Sequence, residues 1–440
     1  MRGWPVLVKE EYGGHIVYDI WSGRTWILKG EDTYKILAQS PETDADFVLK
    51  FIEQETGIRR SKFKAVSLTD LGLSKNSLSD ADDLALPYTI EFYPTLKCNA
   101  RCLFCYQSSN LLYDVAQADL STAKVLLNQI SEFGIPQLYI GGGEPLVWNN
   151  FNEFISESRE VPVAIDIATN ATLYKSRLNA LMQENVRSVF ISIHGNEEIH
   201  NKIIGVDNAY SSALGLAGEL MNSGKPVVVN YVCVPGLNDS RELVVEACRA
   251  IQETGAKKVR FLTVLEYGSA IYYGHKNLKI STVEEAVKWR NLMRQVLEDN
   301  GITLSTEFFI PFAFALDGVT VTPDVDPILK HFYGVNQEGI CKIAVMHNGD
   351  VYPSELWATY DKFRGGNITD QRLPEIYHSP EFREYRSKFR TPPLECRRCK
   401  YVSVCSGGEP LLRYKHFGKY FYQVKDPRCP LDTAIKPQLF

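Results

Sequence analysis

A chain of 440 residues exceeds the ~250–300 at which one hydrophobic core stops growing, so two or three domains are expected. With 45 % hydrophobic and 23 % charged residues it reads as an ordinary globular protein, which excludes wholesale disorder, collagen-like repeats and a coiled-coil rod. A net charge of -5 excludes a dedicated basic nucleic-acid binder, and no apolar run approaches the ~18 residues of a membrane span. The opening MRGWPVLVKEE has too short an apolar stretch for a signal-peptide core. The expectation is a cytoplasmic protein with neither nucleic acid nor membrane as partner.

Residues 1–85 read as a separate module with its linker. VLVKEEYGGHIVYDIWSGRTWIL alternates in strand-like runs around the turn signals Gly13-Gly14 and Ser22-Gly23. Two helical patterns follow, GEDTYKILAQ and SPETDADFVLKFIEQETG, the second with Ser40 as N-cap and Pro41 at its first position. Strands followed by short helices suggest a small winged-helix-like unit. LTDLGLSKNSLSDADDLA is polar and aperiodic and reads as the linker.

Residues 86–305 change rhythm. Six apolar runs recur: YTIEFYP, PQLYIGG, VPVAIDIAT, VRSVFISIH, KPVVVNYVCV and KKVRFLTVL. Helix-length segments such as STAKVLLNQISEFG separate them. Runs buried on both faces and alternating with helices signify parallel strands in βαβ units. Six units fall short of the eight of a closed barrel, so the expected fold is α/β, a partial (β/α)6 barrel with its chemistry at the carboxyl ends of the strands. Residues 306–440 lose the rhythm and read as a loop-rich domain held by metal.

The ten cysteines are clustered. Disulfides are rare in a reducing compartment, so clustered thiols read as metal or iron–sulfur ligands. Cys98, Cys102 and Cys105 lie in YPTLKCNARCLFCYQ, just after the first strand of the βα series. Three thiolates on one loop can hold three irons of a cubane and leave the fourth iron open, the mark of a catalytic rather than a structural centre. A zinc knuckle is the competing reading of three cysteines alone. Spacing and position together resemble the radical S-adenosylmethionine (SAM) enzymes. The resemblance implies that the open iron chelates SAM, that reductive cleavage gives a 5′-deoxyadenosyl radical, and that reduced ferredoxin or flavodoxin supplies the electron.

The resemblance also assigns SAM contacts. Phe104 matches the aromatic residue near the adenine. Gly142, Gly143 and Glu144 match the loop that holds the SAM amino group. Thr169 and Asn170 follow the third strand, and Ser192 ends the fourth near the ribose or carboxylate. His194 stands where relatives often carry Asp and reads as structural. Lys202 falls near the SAM carboxylate, with a solvated surface lysine as its alternative. Asn230, inside an apolar strand, needs a polar partner that a SAM hydroxyl could provide. Cys233 and Cys248 read as buried small hydrophobes, with a catalytic thiol at Cys233 left open.

The second group is Cys396-x2-Cys399-x5-Cys405, with Cys429 beyond. Four thiolates at this spacing suit zinc or a 4Fe–4S cluster. Within such a chain the group resembles the SPASM domain, whose full pattern supplies two auxiliary clusters. Here Ser354 and Glu409 stand where two of its cysteines would be, and Cys341 keeps the early position. One auxiliary 4Fe–4S cluster on Cys396, Cys399, Cys405 and Cys429 is therefore expected. The N-terminal module resembles the peptide-recognition element of ribosomal-peptide maturases, which captures a leader peptide as an added strand. Three functions remain open: modification of a precursor peptide by a thioether or carbon–carbon crosslink or a similar change, action on a small molecule of tetrapyrrole or pterin type, and a degenerate scaffold that only binds peptide.

Overall fold

In the computed structural model, residues 84–109, 115–274, 282–317 and 337–431 are described, together with four strands nearer the N-terminus. Those strands are β1 (Val6–Glu11), β2 (Gly14–Asp19), β3 (Thr25–Lys29) and β4 (Phe63–Val66). The first three form an antiparallel meander, and β4 pairs parallel with β1. The order is β3-β2-β1-β4, which leaves β3 and β4 at the edges. FKAV, the four residues of β4, is too short a run to stand out in the sequence. Both expected helices of this module lie outside the described residues, as does most of the linker. Its last residues, Leu84 and Ala85, are fully buried in the following unit, so their apolar character serves packing and the linker ends before them.

The second sheet carries the chemistry. The six expected runs form β5 (Thr89–Tyr93), β6 (Gln137–Ile140), β7 (Ala164–Thr169), β8 (Val186–Ser192), β9 (Val227–Cys233) and β10 (Lys258–Thr263), parallel throughout. A seventh parallel strand, β11 (Ser305–Phe309), extends one edge. At the other edge β12 (Lys342–Met346) pairs parallel with β5, and β13 (Asp350–Tyr352) and β14 (Gly366–Asn367) follow antiparallel. The ten strands run β11-β10-β9-β8-β7-β6-β5-β12-β13-β14, an open sheet whose two ends do not pair. The third segment of the chain thus continues the sheet of the second.

Several of these strands are not buried equally on both faces. In β9, Val227, Val229, Tyr231 and Cys233 are buried, while Val228, Asn230 and Val232 are only half-buried. The buried face packs under helices such as Leu120–Phe133, which presents Leu126, Ile130 and Phe133 to the sheet. That helix is capped by the Asp119 side chain accepting from the Thr122 N–H, and it stops at Gly134, whose φ of 61° a glycine adopts without strain. The half-buried face lines the interior and carries Glu91, Tyr139, Phe190, Asn230 and Arg260. Mostly apolar runs hid this alternation because β-branched residues occupy both faces.

Candidate radical SAM site and auxiliary cysteines

Cys98, Cys102 and Cys105 sit half-buried on the loop after β5, and none of the ten cysteines is in a disulfide. Backbone hydrogen bonds fix this loop on three sides. The Gly143 and Glu144 N–H groups donate to the carbonyls of Thr95 (2.9 Å) and Lys97 (3.0 Å). The Arg101 N–H donates to Ile204 at the end of helix Glu197–Ile204 (2.7 Å), and the Ser269 N–H donates to the Cys105 carbonyl (2.8 Å). Glycines permit this close approach. A Cβ on Gly142, at φ +130°, would lie 2.3 Å from the Thr95 carbonyl oxygen, and one on Gly143 2.3 Å from that of Lys97. Gly142 and Gly143 therefore let the loop after β6 pack on the cysteine loop. Gly268 does the same at the other end, where a Cβ would meet the Tyr106 carbonyl oxygen at 2.3 Å. Sequence reasoning missed Gly268; the small pair Gly268-Ser269 just after β10 was the available signal.

Burial pushes the Cys98 thiol up to about 12, with the Glu144 carboxylate adding to the shift. Burial, then Cys98 and Cys105, hold the Cys102 thiol well above its ordinary range. The Cys98 and Cys102 thiolates, disfavoured by burial and by neighbouring thiols, need a cation, and iron supplies one. Among the described residues no three His, Cys, Asp or Glu side chains converge as the ligands of a single metal ion must. A cubane differs in giving each thiolate its own iron. The residues present fit such a cluster.

Glu144 is fully buried and ties three loops together. Its Oε1 accepts from the Leu146 N–H (3.0 Å) and the Thr169 hydroxyl (2.7 Å), and its Oε2 from the Asn170 N–H (2.7 Å). Thr169 Oγ1 in turn accepts from the Ala171 N–H (2.9 Å), so Thr169 is spent on the scaffold. Asn170 Nδ2 donates to Asn99 Oδ1 (3.0 Å) and lies 4.0 Å from Cys98 Sγ. Burial lifts the Glu144 carboxyl to about 7, against three hydrogen bonds that favour the carboxylate. The folded chain thus holds this proton to higher pH than the unfolded chain, whose carboxyl titrates near 4.5. Stability contributed here is present below pH 4.5 and declines as pH rises to about 7. Glu144→Gln is expected to remove that slope and to cost about 1–3 kcal/mol, because its amide sets an N–H against a donor. Urea melts of both proteins at pH 5 and pH 8 measure the difference.

Phe104 packs against Val234, Val264 and Ala270 and meets the His194 ring edge-on at 5.0 Å. His194 is buried. Its Nδ1 accepts from the Val232 N–H (3.1 Å), and its own N–H donates to His200 Nδ1 (3.0 Å). Burial holds both rings neutral, His194 well below the usual range and His200 at about 4. His194 is a structural link between strands, as its sequence context suggests. Asn230 lies on the interior face in register with Ser192 and Arg260, and its buried Oδ1 has no hydrogen-bond partner. An orphaned acceptor there suits a donor group of a bound cofactor. Lys202 is exposed on helix Glu197–Ile204. Cys233 lies on the helix-facing side of β9, and Cys248 is buried within helix Arg241–Glu253, so neither joins the cysteine loop.

In the third segment Cys396, Cys399, Cys405 and Cys429 are neighbours. Each of Cys396, Cys405 and Cys429 has others of the four among the groups that raise its thiol, after burial itself. Phe312 and Phe314 wall Cys405 and Cys429 with apolar surface, and the turn beyond Cys405 uses Gly407 (φ +90°) and Gly408 (φ +95°). Four such thiols fit a protein-bound cubane. The second set differs. Glu409 has both oxygens occupied, Oε1 by the Tyr267 hydroxyl (2.5 Å) and Oε2 by Arg428 (2.7 Å). Ser354 is buried with an unpartnered hydroxyl, and Cys341 is buried with its thiol pushed up to about 12.

A polar interior around Glu91, Glu338, Lys342 and Glu355 was not anticipated from the sequence. Lys342 pairs with Glu91 (3.0 Å), and Trp357 Nε1 donates to Glu338 (3.0 Å). Burial disfavours the Lys342 ammonium, but Glu91, Glu338 and Glu355 outweigh it and hold it above the ordinary lysine range. Burial pushes the Glu355 carboxyl up to about 7. Distant chain segments build this group, so no local spacing announces it.

Residues 92–248 match the model of the radical SAM superfamily, and residues 338–400 match that of the SPASM iron–sulfur cluster-binding domain. The chain is 24 % identical to the AdoMet-dependent heme synthase of Oleidesulfovibrio alaskensis, over 78 % of this chain and 87 % of that one. It is 27 % identical to the cysteine-type anaerobic sulfatase-maturating enzyme of Clostridium perfringens, over 71 % and 85 %. The crystal structure of Streptococcus suis SuiB superposes with a TM-score of 0.76 at 19 % identity, covering 97 % of this chain and 99 % of that one. SuiB has also been solved with S-adenosylmethionine and with the precursor peptide SuiA. The cysteine loop on an open parallel sheet, the second cysteine group and the two family matches together give the chain a radical SAM superfamily domain and a SPASM iron–sulfur cluster-binding domain, with SAM and 4Fe–4S clusters as their cofactors.

Proposed function

We propose that this enzyme modifies a ribosomally synthesised precursor peptide. The observation that carries the reading is the extent of the likeness to SuiB, which spans 97 % of the chain and so takes in the N-terminal sheet. The likenesses to the heme synthase and the sulfatase-maturating enzyme cover 78 % and 71 % of it. Residues 1–85 act as the recognition module and linker, 86–305 as the radical domain and 306–440 as the auxiliary domain. A leader segment docks by strand addition at β3, an edge strand among the described residues.

Cys98, Cys102 and Cys105 hold the SAM-binding 4Fe–4S cluster. With an electron from reduced ferredoxin or flavodoxin, SAM bound there supplies a 5′-deoxyadenosyl radical that abstracts hydrogen from the peptide. The chain's residues orient the cofactor. Gly142 and Gly143 set the loop, and Glu144 and Thr169 brace it from behind. Phe104 flanks the adenine, Asn170, Ser192 and Asn230 offer polar contacts, and Lys202 closes the carboxylate side from the surface. Cys396, Cys399, Cys405 and Cys429 hold one auxiliary cluster; Glu409, already bonded to Tyr267 and Arg428, has no oxygen to spare for a second.

Removing residues 1–80 tests the recognition role. Strand addition binds through backbone hydrogen bonds of about 0.5–1.5 kcal/mol each. The truncated enzyme is expected to lose peptide binding about a hundredfold or more by fluorescence anisotropy, yet to cleave SAM without peptide at the full-length rate. Unchanged peptide binding would remove the recognition role.

A further inference from the structure

Arg413, on helix Pro410–Phe417, is completely buried. Its Nη1 donates to the Val424 carbonyl (3.3 Å), whereas Nε and Nη2 have no hydrogen-bond partner. A buried guanidinium in this state is costly unless a negative group meets it. Among the described residues no carboxylate hydrogen-bonds it. Asp426 is nearby, but its carboxylate accepts from the Glu409 N–H (2.9 Å) and from Arg428 through Nε (3.1 Å), Nη2 (2.8 Å) and N–H (2.9 Å). Arg428 and the Glu409 N–H take the oxygens of that carboxylate, and Asp426 makes no hydrogen bond to Arg413. Arg413 lies instead against the turn after Cys405, with Nη1 2.9 Å from where a Cβ of Gly407 would stand. Cys396 and Cys405 are both among its electrostatic neighbours.

We propose that Arg413 is the counter-ion of the auxiliary cluster, its Nε–H and an Nη2–H donating to sulfurs beside Cys396 and Cys405. The proposal rests on the reading that Cys396, Cys399, Cys405 and Cys429 hold that cluster. A cubane with four thiolates is a dianion in its oxidised form and gains a further negative charge on reduction. One electron enters from an external low-potential donor and no proton is taken up, since the guanidinium is already charged. A fixed positive charge and hydrogen bonds to the sulfurs favour the reduced form and raise the potential. Arg413 is therefore a positioning residue that makes the auxiliary site easier to reduce.

The test uses the full chain, anaerobically reconstituted, with Cys98, Cys102 and Cys105 replaced by Ala so that only the auxiliary signal remains. Dithionite titration followed by electron paramagnetic resonance gives its midpoint. Absence of any signal in this background would end the cluster reading before Arg413 is questioned. With the signal present, Arg413→Met is expected to disfavour the reduced form at least tenfold, a downward shift of about 59 mV for one electron. Arg413→Lys, which keeps the charge but not the planar fork, is expected to shift it less. An unchanged midpoint in Arg413→Met with four irons retained would overturn the proposal. Should Arg413→Met not retain its iron, the neutral, polar Arg413→Gln decides: a bound cluster with a lowered midpoint supports the counter-ion, and a wild-type midpoint or an empty site overturns it.

Discussion

Replacing Cys98, Cys102 and Cys105 together by Ala is expected to reduce SAM cleavage to the level of an enzyme-free control while leaving the fold in place. The chemical part follows from the ligand count: the cubane needs these three thiolates, and among the described residues no other cysteine joins the loop. The structural part follows from how the loop is held. Its anchors are main-chain bonds from Gly143, Glu144, Arg101 and Ser269, none of which involves a thiol. The alanine variant should keep wild-type circular dichroism and lose about four irons per chain. Chromatography of 5′-deoxyadenosine gives the readout, and product above background in the triple variant would contradict the assignment.

Loss of the auxiliary site should be felt as stability rather than as a missing ligand alone. Cys396, Cys399, Cys405 and Cys429 lie among short turns and helices with little regular structure of their own to hold them. Metal binding in such regions is folding free energy, of the order of ~10 kcal/mol in small zinc domains. Substituting Cys396 and Cys399 by Ala is expected to leave about four irons instead of about eight and to expose residues 380–431 to limited proteolysis. Helices further from the site, such as Leu120–Phe133, should stay protected. A count of about twelve irons in the unaltered protein, four of them lost in Cys341→Ala, would show instead that Cys341 belongs to a second auxiliary cluster.

The six parallel strands were legible because each is a dense apolar run set off by helix-length segments, and periodicity survives in a single sequence. The cysteine loop was legible because its spacing is local. What stayed hidden depends on partners far apart in the chain. β12 joins β5 across about 250 residues, and nothing in KIAVM names its neighbour. The interior of Glu91, Glu338, Lys342 and Glu355 is assembled from three separate segments, so each residue alone reads as surface charge. Glu144 and Thr169 were read as cofactor contacts from their motif, and the structure has them bonded to each other. Gly142 and Gly143 were read as glycines for a ligand, yet the nearest groups their Cβ atoms would strike are the Thr95 and Lys97 carbonyls. Lys202 matches a motif position but stands exposed, because the end of its helix meets the cysteine loop through the main-chain carbonyls of Ile203 and Ile204.

The central claim is that radical chemistry at the cysteine loop is directed at a peptide captured by the N-terminal sheet. Its most direct test is mass spectrometry of candidate short peptides encoded near this enzyme's gene, after incubation with the reconstituted protein, SAM and dithionite. The account predicts a peptide two hydrogens lighter, with 5′-deoxyadenosine formed in step with it and neither product from the protein lacking residues 1–80 at the same peptide concentration. An unmodified peptide, with 5′-deoxyadenosine formation stimulated instead by an iron-containing tetrapyrrole, would contradict it and place the enzyme among those acting on small molecules.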